Sequence, residues 1–427
     1  MTSNKRAKTL IYQQPAIPLG GVQGEGGALP SSVECACVFF LGNRDVAALS
    51  RASHAAARLV EQWFGLPHRL CLDLEPDVDF DDEWWRRFVF LASRHSRAAM
   101  TLAISADSLC ARIGPLIVRM VTNNAHCLKV VDLPEDAMST NLLVALRACA
   151  KLTVLDTSPF DSVEDMDEKD KQDAFVHMVG SCRETLTELT TAAELPIVTA
   201  ILGAQPRLTK MIAVSCLRQD TQVSRRFFEL LGKQTSMRQL ELHVTSSPIS
   251  NLASSGKLLA QSLECMPRLT SLELEIRRHL FPVTCTLPAL VLLKLRVDVY
   301  SDREETPFTI RAPKLQTFEM VAGHADSCVA TLIDVGADAS LVEVSMTKAH
   351  ARKASNLSDR LAARLASCKF PLLEKWRSNA FGMPESIVAS LDSPRLALLS
   401  FTLSGPVSSD LPRKLVRRRG RCFAPPP

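Results

Sequence analysis

Glycine and tyrosine are scarce in this chain, with 17 glycines and two tyrosines among 427 residues, and aromatic side chains are only 5% of the total. So few glycines argue against the glycine-rich loops of a large nucleotide-binding α/β enzyme, and so few aromatics imply an interior of stacked aliphatic layers. Long hydrophobic runs are missing too. No stretch of 18 apolar residues occurs and residues 1–27 contain no continuous apolar segment, so we expect no membrane span and no export signal. Charge of one sign is equally absent: 50 basic side chains stand against 46 acidic ones. That balance argues against nucleic acid or anionic lipid as the principal partner.

The thirteen cysteines form no C-x-x-C pair and have no histidine at a spacing that would complete a zinc site, so neither metal nor cofactor is expected. Several stand where an aliphatic residue would serve, such as Cys127 before Leu128 and Cys216 before Leu217. They read as small buried thiols of a reducing compartment, cytoplasmic or nuclear. Nucleophile-elbow, zinc-protease and kinase motifs are absent, and Leu133 stands where a phosphatase-like Cys127 would need its arginine, so no catalytic residue is assigned. The acidic alternation from Asp73 to Glu83 imitates a calcium loop, yet Asp82 replaces its glycine and Phe88 its final glutamate. It reads as a strand exit followed by a helix opening at Trp84, and a second acidic stretch, Asp161 to Asp173, as an exposed loop.

What the chain does have is a period. Leu269, Leu272, Leu274, Ile276 and Leu290, Leu293, Leu295, Val297 both read L-x-x-L-x-L-x-V, whose last three apolar positions alternate as a strand with one buried face. Weaker copies place opening positions at 69, 99, 128, 152, 186, 208, 237, 269, 290, 315, 341, 373 and 396, an average spacing of about 27 residues. Pro206, Pro267, Pro288, Pro313, Pro371 and Pro394 each stand two residues before an opening leucine, where a proline ends any preceding helix. Helical spacing fills the intervals, as in Arg226, Phe227, Leu230, Leu231, in Leu258, Leu259, Ser262, Leu263, and in Leu361, Leu365 behind a capping Asp359.

The predicted fold is therefore α/β: a leucine-rich-repeat solenoid over residues 66–410, with a curved parallel sheet and a helical or irregular convex side. Residues 1–28 and the basic, proline-ended 411–427 are expected to be disordered tails. The asparagine that often follows the strand in regular repeats is replaced by Thr245, Arg277 and Asp298, which predicts a looser array.

In L-x-x-L-x-L the residues flanking the last leucine point away from the core, onto the concave strand face. Ile212, Glu241, Glu273, Lys294, Glu319, Ser345 and Ser400 then form one row, and Val214, His243, Glu275, Arg296, Val321, Thr347 and Thr402 form its neighbour. Glu241, Glu273, Glu275 and Glu319, interrupted by Lys294 and Arg296 and flanked by His243, suit a partner segment bearing Lys or Arg.

Residues 29–65 do not share the period. They begin as a short helix with Pro30 in its first turn, break at Gly42-Asn43-Arg44-Asp45, and continue as a second helix with Val46, Leu49, Ala52, Ser53, Ala56 and Leu59 on one face and Asp45 as N-cap. Leu29, Pro30, Val33, Val38, Leu41, Asp45, Val46, Leu49, Ser50 and Ser53 fall on the pattern of the F-box motif, which this segment resembles; it departs from it at Ser32, Glu34 and Ala56. F-box segments commonly precede leucine-rich repeats in substrate receptors of cullin-type ubiquitin ligases. The resemblance implies that Leu29, Pro30, Val33, Val38, Leu41 and Val46 form the surface for the F-box adaptor of such a cullin complex, and that the repeats hold a protein substrate. The alternative is that these residues only cap the first repeat of a protein-binding scaffold.

Overall fold

The computed structural model describes residues 43–52, 54–65, 68–73, 83–105, 114–133, 139–157, 169–191, 195–204, 206–217, 221–246, 252–277, 283–298, 308–322, 325–336, 340–348, 355–356, 359–383 and 395–403. Helices α1 (Asn43–Ala52) and α2 (His54–Gly65) lead into an alternation that begins β1 (His68–Asp73), α3 (Glu83–His95), β2 (Ala99–Ser105), α4 (Gly114–Asn124), β3 (Val130–Asp132). It continues α5 (Thr140–Leu146), β4 (Val154–Asp156), α6 (Lys169–Ser181), β5 (Glu188–Thr191), α7 (Leu195–Gly203), β6 (Lys210–Leu217), α8 (Thr221–Leu231), β7 (Gln239–Ser246), α9 (Leu252–Glu264). The remainder is β8 (Ser271–Arg277), β9 (Thr284–Thr286), β10 (Leu292–Asp298), β11 (Thr309–Arg311), β12 (Thr317–Ala322), α10 (Ala325–Asp334), β13 (Glu343–Lys348), β14 (Ser355–Asn356), α11 (Asp359–Ser367), β15 (Lys375–Met383) and β16 (Leu398–Leu403).

Fourteen of these strands form one sheet whose order follows the chain except at β14, which pairs with β15 beyond β13. Leaving aside the two-residue β14, thirteen strands correspond to the thirteen opening positions. From Leu128 onward every strand begins two residues after its opening position. The chain is a leucine-rich-repeat solenoid. Among the described residues every strand pairing is parallel, and residues at equal positions in successive repeats face one another, as in Leu240 with Leu272, Leu272 with Leu293 and Leu293 with Phe318. The inward side chains of these strands and the apolar faces of the helices merge into one core that runs from Ala47 to Leu396. Strands pack at roughly 4.8 Å and helices at roughly 8–10 Å, so the strand face is the inner, concave one.

Two links register the repeats. The first is the turn marked by proline: the amides of Leu269, Leu290, Leu315 and Leu373 donate to the carbonyls of Met266, Leu287, Ala312 and Phe370 at 3.0–3.2 Å, with Pro267, Pro288, Pro313 and Pro371 at the second turn position, where their fixed φ belongs. Cys149 and Gln234 take the acceptor position for Leu152 and Met237 in repeats that lack the proline. The second is a ladder one residue further on. Thr153 N donates to Lys129 O, Thr187 N to Thr153 O, Thr209 N to Thr187 O, Arg238 N to Thr209 O and Thr270 N to Arg238 O, all at 2.8–2.9 Å. It continues through Val291, Gln316, Val342 and Glu374 to Ala397, and each acceptor from Lys129 onward also takes the amide of the following residue at 2.9–3.1 Å. Threonine hydroxyls reinforce it: those of Thr153, Thr187, Thr209 and Thr270 donate to the same carbonyls at 3.0–3.2 Å. The asparagine expected after the strand is thus replaced, in function, by a ladder before it.

Helices α1 and α2 pack on α3, with Ala47 and Val60 buried in one core with Phe88, Val89 and Ala92. Arg87 on α3 donates from Nε to Ser50 Oγ at 2.8 Å, which ties α1 to the first repeat. The second of the two expected helices covers α1 and α2 and starts at Asn43, so Asp45 lies inside the first turn, and Val60 rather than half-buried Leu59 carries the buried position; the first expected helix, from Pro30, lies outside the described residues. Ala52, expected on the packed face, is exposed. Asp359 likewise sits in the first turn of α11. The end of the second acidic stretch is helical, since α6 starts at Lys169 with Asp170 favourable at its positive end. Cys149, Cys182, Cys285 and Cys328 are buried as expected, but Cys127 is only half-buried and Cys265 is exposed. The intervals after β8 and after β10 carry the strands β9 and β11, paired in parallel, where most other described repeats carry a helix.

Asn124, the last residue of α4, is fully buried. Its Oδ1 accepts from Ala99 N at 2.8 Å and Ser96 Oγ at 3.2 Å, and its Nδ2 donates to Met120 O at 2.7 Å. Asn124→Ala strips partners from buried groups, each of which costs about 1–3 kcal/mol when left unsatisfied. Urea unfolding is expected to show at least that loss; an unchanged midpoint would mean that the α3–β2 junction does not depend on this side chain.

Candidate functional site

The open face of β7, β8, β10 and β12 carries the densest set of ionisable side chains that the sequence placed there. Alternation sends Leu240, Leu242, Leu272 and Leu274 into the core and leaves Glu241, His243, Glu273 and Glu275 on the other face. Parallel register then sets Glu241 opposite Glu273 and His243 opposite Glu275, with Lys294 opposite both Glu273 and Glu319, and Arg296 opposite Glu275. Both rows run as expected: Ile212 precedes Glu241, Ser345 follows Glu319, Val214 precedes His243, and Val321 and Thr347 follow Arg296.

The charges are joined into a network. His243 Nε2 lies 2.7 Å from Glu241 Oε1 and its Nδ1 lies 3.0 Å from Glu275 Oε2. Lys294 Nζ bridges Glu273 at 3.6 Å and Glu319 at 3.9 Å, and Arg296 Nε stands 3.9 Å from Glu275. Glu275 is buried; the other carboxylates are partly exposed. Burial alone would lower the pKa of His243, but hydrogen bonds to Glu241 and Glu275, and their charges, outweigh it and push the ring up to about 9. At neutral pH the imidazolium therefore donates from both nitrogens. Burial, and then the neighbouring Glu241, raise the pKa of Glu273, with Lys294 opposing. Four carboxylates against His243, Lys294 and Arg296 leave the cluster one negative charge. The acidic zone read from the sequence is thus mostly neutralised from within, because register brings cations of the same rows between the acids.

Some members of this face escaped the sequence pattern. The first row extends upstream through Thr190, Asp156 and Asp132 and includes Arg377 between Ser345 and Ser400. Arg377 was hidden because the core positions beside it are Trp376 and buried Ser378 rather than two leucines; counting one residue past Trp376 would have found it. The grouping of Glu241, His243 and Glu273, with one donor atom of each within 4.8 Å of the others, was also missed. Glu273 comes from the repeat after that of Glu241 and His243, so no local spacing announces it. Of the adaptor-facing residues, Leu29, Pro30, Val33, Val38 and Leu41 lie outside the described residues, and Val46 lies in α1 with its side chain outside them. Among the described residues no helix is long and apolar enough to cross a membrane.

No protein-family model matches the sequence, and no curated protein does. The structure is similar to a chain in the crystal structure of the Rad7 and Elc1 complex in yeast, with 14% sequence identity, 91% of this chain and 86% of that chain covered, and a TM-score of 0.42. A likeness that distant carries no functional argument.

Because the pKa of His243 rises on folding from about 6.5 to about 9, its stabilising effect is full below about pH 6.5 and is lost as pH climbs through about 9. The stability advantage of the parent over His243→Gln is expected to shrink across that window, by at most about 1.4 kcal/mol per pH unit. Chemical denaturation at pH 6, 7.5 and 9 reads it; a constant difference would contradict the double ion pair.

Proposed function

We propose that the chain is a non-catalytic recognition subunit that holds a protein partner on its open strand face. The observation that carries this reading is the continuous face of thirteen parallel strands, whose central repeats hold partly exposed, ion-paired side chains in fixed register. Rigid rows of this kind give specificity through charge pattern more than through area. The buried strand positions are leucines and similar residues, so the outward rows can vary without disturbing the core. A partner segment that presents alternating charge would exchange its own groups for the internal pairs of Lys294 and Arg296.

Within that role, the F-box resemblance of residues 29–65 supports a substrate receptor of a cullin-type ubiquitin ligase, with the adaptor on Leu29, Pro30, Val33, Val38, Leu41 and Val46. The docking of α1 and α2 on α3 suits it, since a motif joined to the first repeat would hold a bound adaptor at a set distance from the recognition face. The same docking favours a second reading, in which these helices only cap the array: Ala47 and Val60 close the end of the core.

Co-purification with the F-box adaptor separates the two readings. For a ligase receptor, the full chain retains the adaptor and a folded Leu29→Asp, Leu41→Asp variant loses it. Failure of the well-folded full chain to retain adaptor would leave the capped scaffold. Partner recognition has its own test. Reversal of Glu241, Glu273 and Glu319 to lysine is expected to weaken a captured partner at least tenfold in a pull-down titration, and unchanged capture by the folded variant would move the binding surface elsewhere.

A further inference from the structure

We propose that Glu241, His243 and Glu273 form a binding site for one divalent transition-metal ion of the Zn2+ class, on the open face between β7 and β8. One donor atom from each of the three lies within 4.8 Å of the other two. An imidazole nitrogen with two carboxylates is a donor set that holds zinc through three protein ligands and leaves a fourth position open.

Glu275 supplies the support that a metal-bound imidazole needs. Its Oε2 lies 3.0 Å from Nδ1 and is placed to accept that N–H, while Nε2 is turned toward Glu241, 2.7 Å away. A buried carboxylate on the far ring nitrogen fixes the ring and its tautomer, so that the near nitrogen can ligate. The division of burial fits the roles: Glu275 is buried, whereas Glu241, His243 and Glu273 are half-exposed and reachable from solvent.

Register gives a second argument. Glu241 and Glu273 face each other directly on adjacent strands, where like charges repel, and a shared cation removes the repulsion. Lys294 competes for Glu273 at 3.6 Å, but Glu319 stands 3.9 Å from the same ammonium on its other side. Lys294 can therefore release Glu273 and keep an ionic partner. On binding, Zn2+ displaces the Nε2 proton to solvent, and two carboxylates neutralise the ion. The fourth position faces away from the sheet and takes water or a ligating side chain from whatever occupies the face.

The test uses the purified full chain, stripped with a chelator and then titrated with Zn2+ alone against a chromophoric competitor. Because thirteen cysteines provide background sites, the readout is the difference between the parent and His243→Ala, both checked for folding by circular dichroism. One ion per chain fewer in the variant is expected, and the parent-minus-variant spectrum with Co2+ should show weak visible bands without thiolate charge transfer. Glu275→Gln should keep the stoichiometry and weaken affinity about 10–100-fold. If His243→Ala does not fold, Glu241→Gln with Glu273→Gln replaces it. Equal Zn2+ uptake by parent and ligand variant, no uptake by either, or a difference spectrum dominated by thiolate would overturn the site.

Discussion

A single carbonyl in each repeat sets the phase of the whole array. The residue after the opening leucine offers its oxygen to two amides of the next repeat, from Lys129 through Glu374. The strands, the inward leucines and the outward rows all take their position from that contact. It explains why repeats of unequal length stack without slipping: whatever the return segment does, the chain must come back to the same acceptor. A one-residue slip would send every core leucine to solvent, so the ladder and the core enforce the same register.

The strand side was legible in the sequence for this reason. A backbone ladder does not care which side chain occupies its position, but the leucines at alternating positions after it must recur, and the proline two before the opening leucine does so in six repeats. The convex side was less legible. Nothing in the alternation says that the intervals after β8 and β10 close as strands rather than as helices. The helix after Gly42 was expected to start at Asp45 and starts at Asn43, because both residues are acceptable near a helix start and only packing on α3 decides between them.

The candidate site was half legible. Alternation put Glu241, His243, Glu273, Glu275, Lys294, Arg296 and Glu319 on one face, which the pairing of β7, β8, β10 and β12 bears out. What alternation could not give was the bonding among them. Whether a row of glutamates is an acidic surface or a neutralised network depends on which cation faces which acid across a strand gap, and here His243 and Lys294 each stand between two carboxylates. The surface presented to a partner is a charge pattern already engaged with itself, which favours discrimination over strength, since every new pair formed replaces an old one.

The substitution of β9 and β11 for helices has a mechanical result. A solenoid bends because its outer layer is more widely spaced than its inner one. Behind β8, β10 and β12 both layers are strands at nearly the same spacing, so the lever that bends the rest of the molecule is missing there. The stretch bearing Glu273, Lys294 and Glu319 is therefore expected to be the flatter part of the face, a landing between more curved stretches of wall. Two ligands of equal charge but different stiffness would meet it differently: a straight, rigid segment could lie along the landing, while one that must follow the wall on either side would have to bend at its margins.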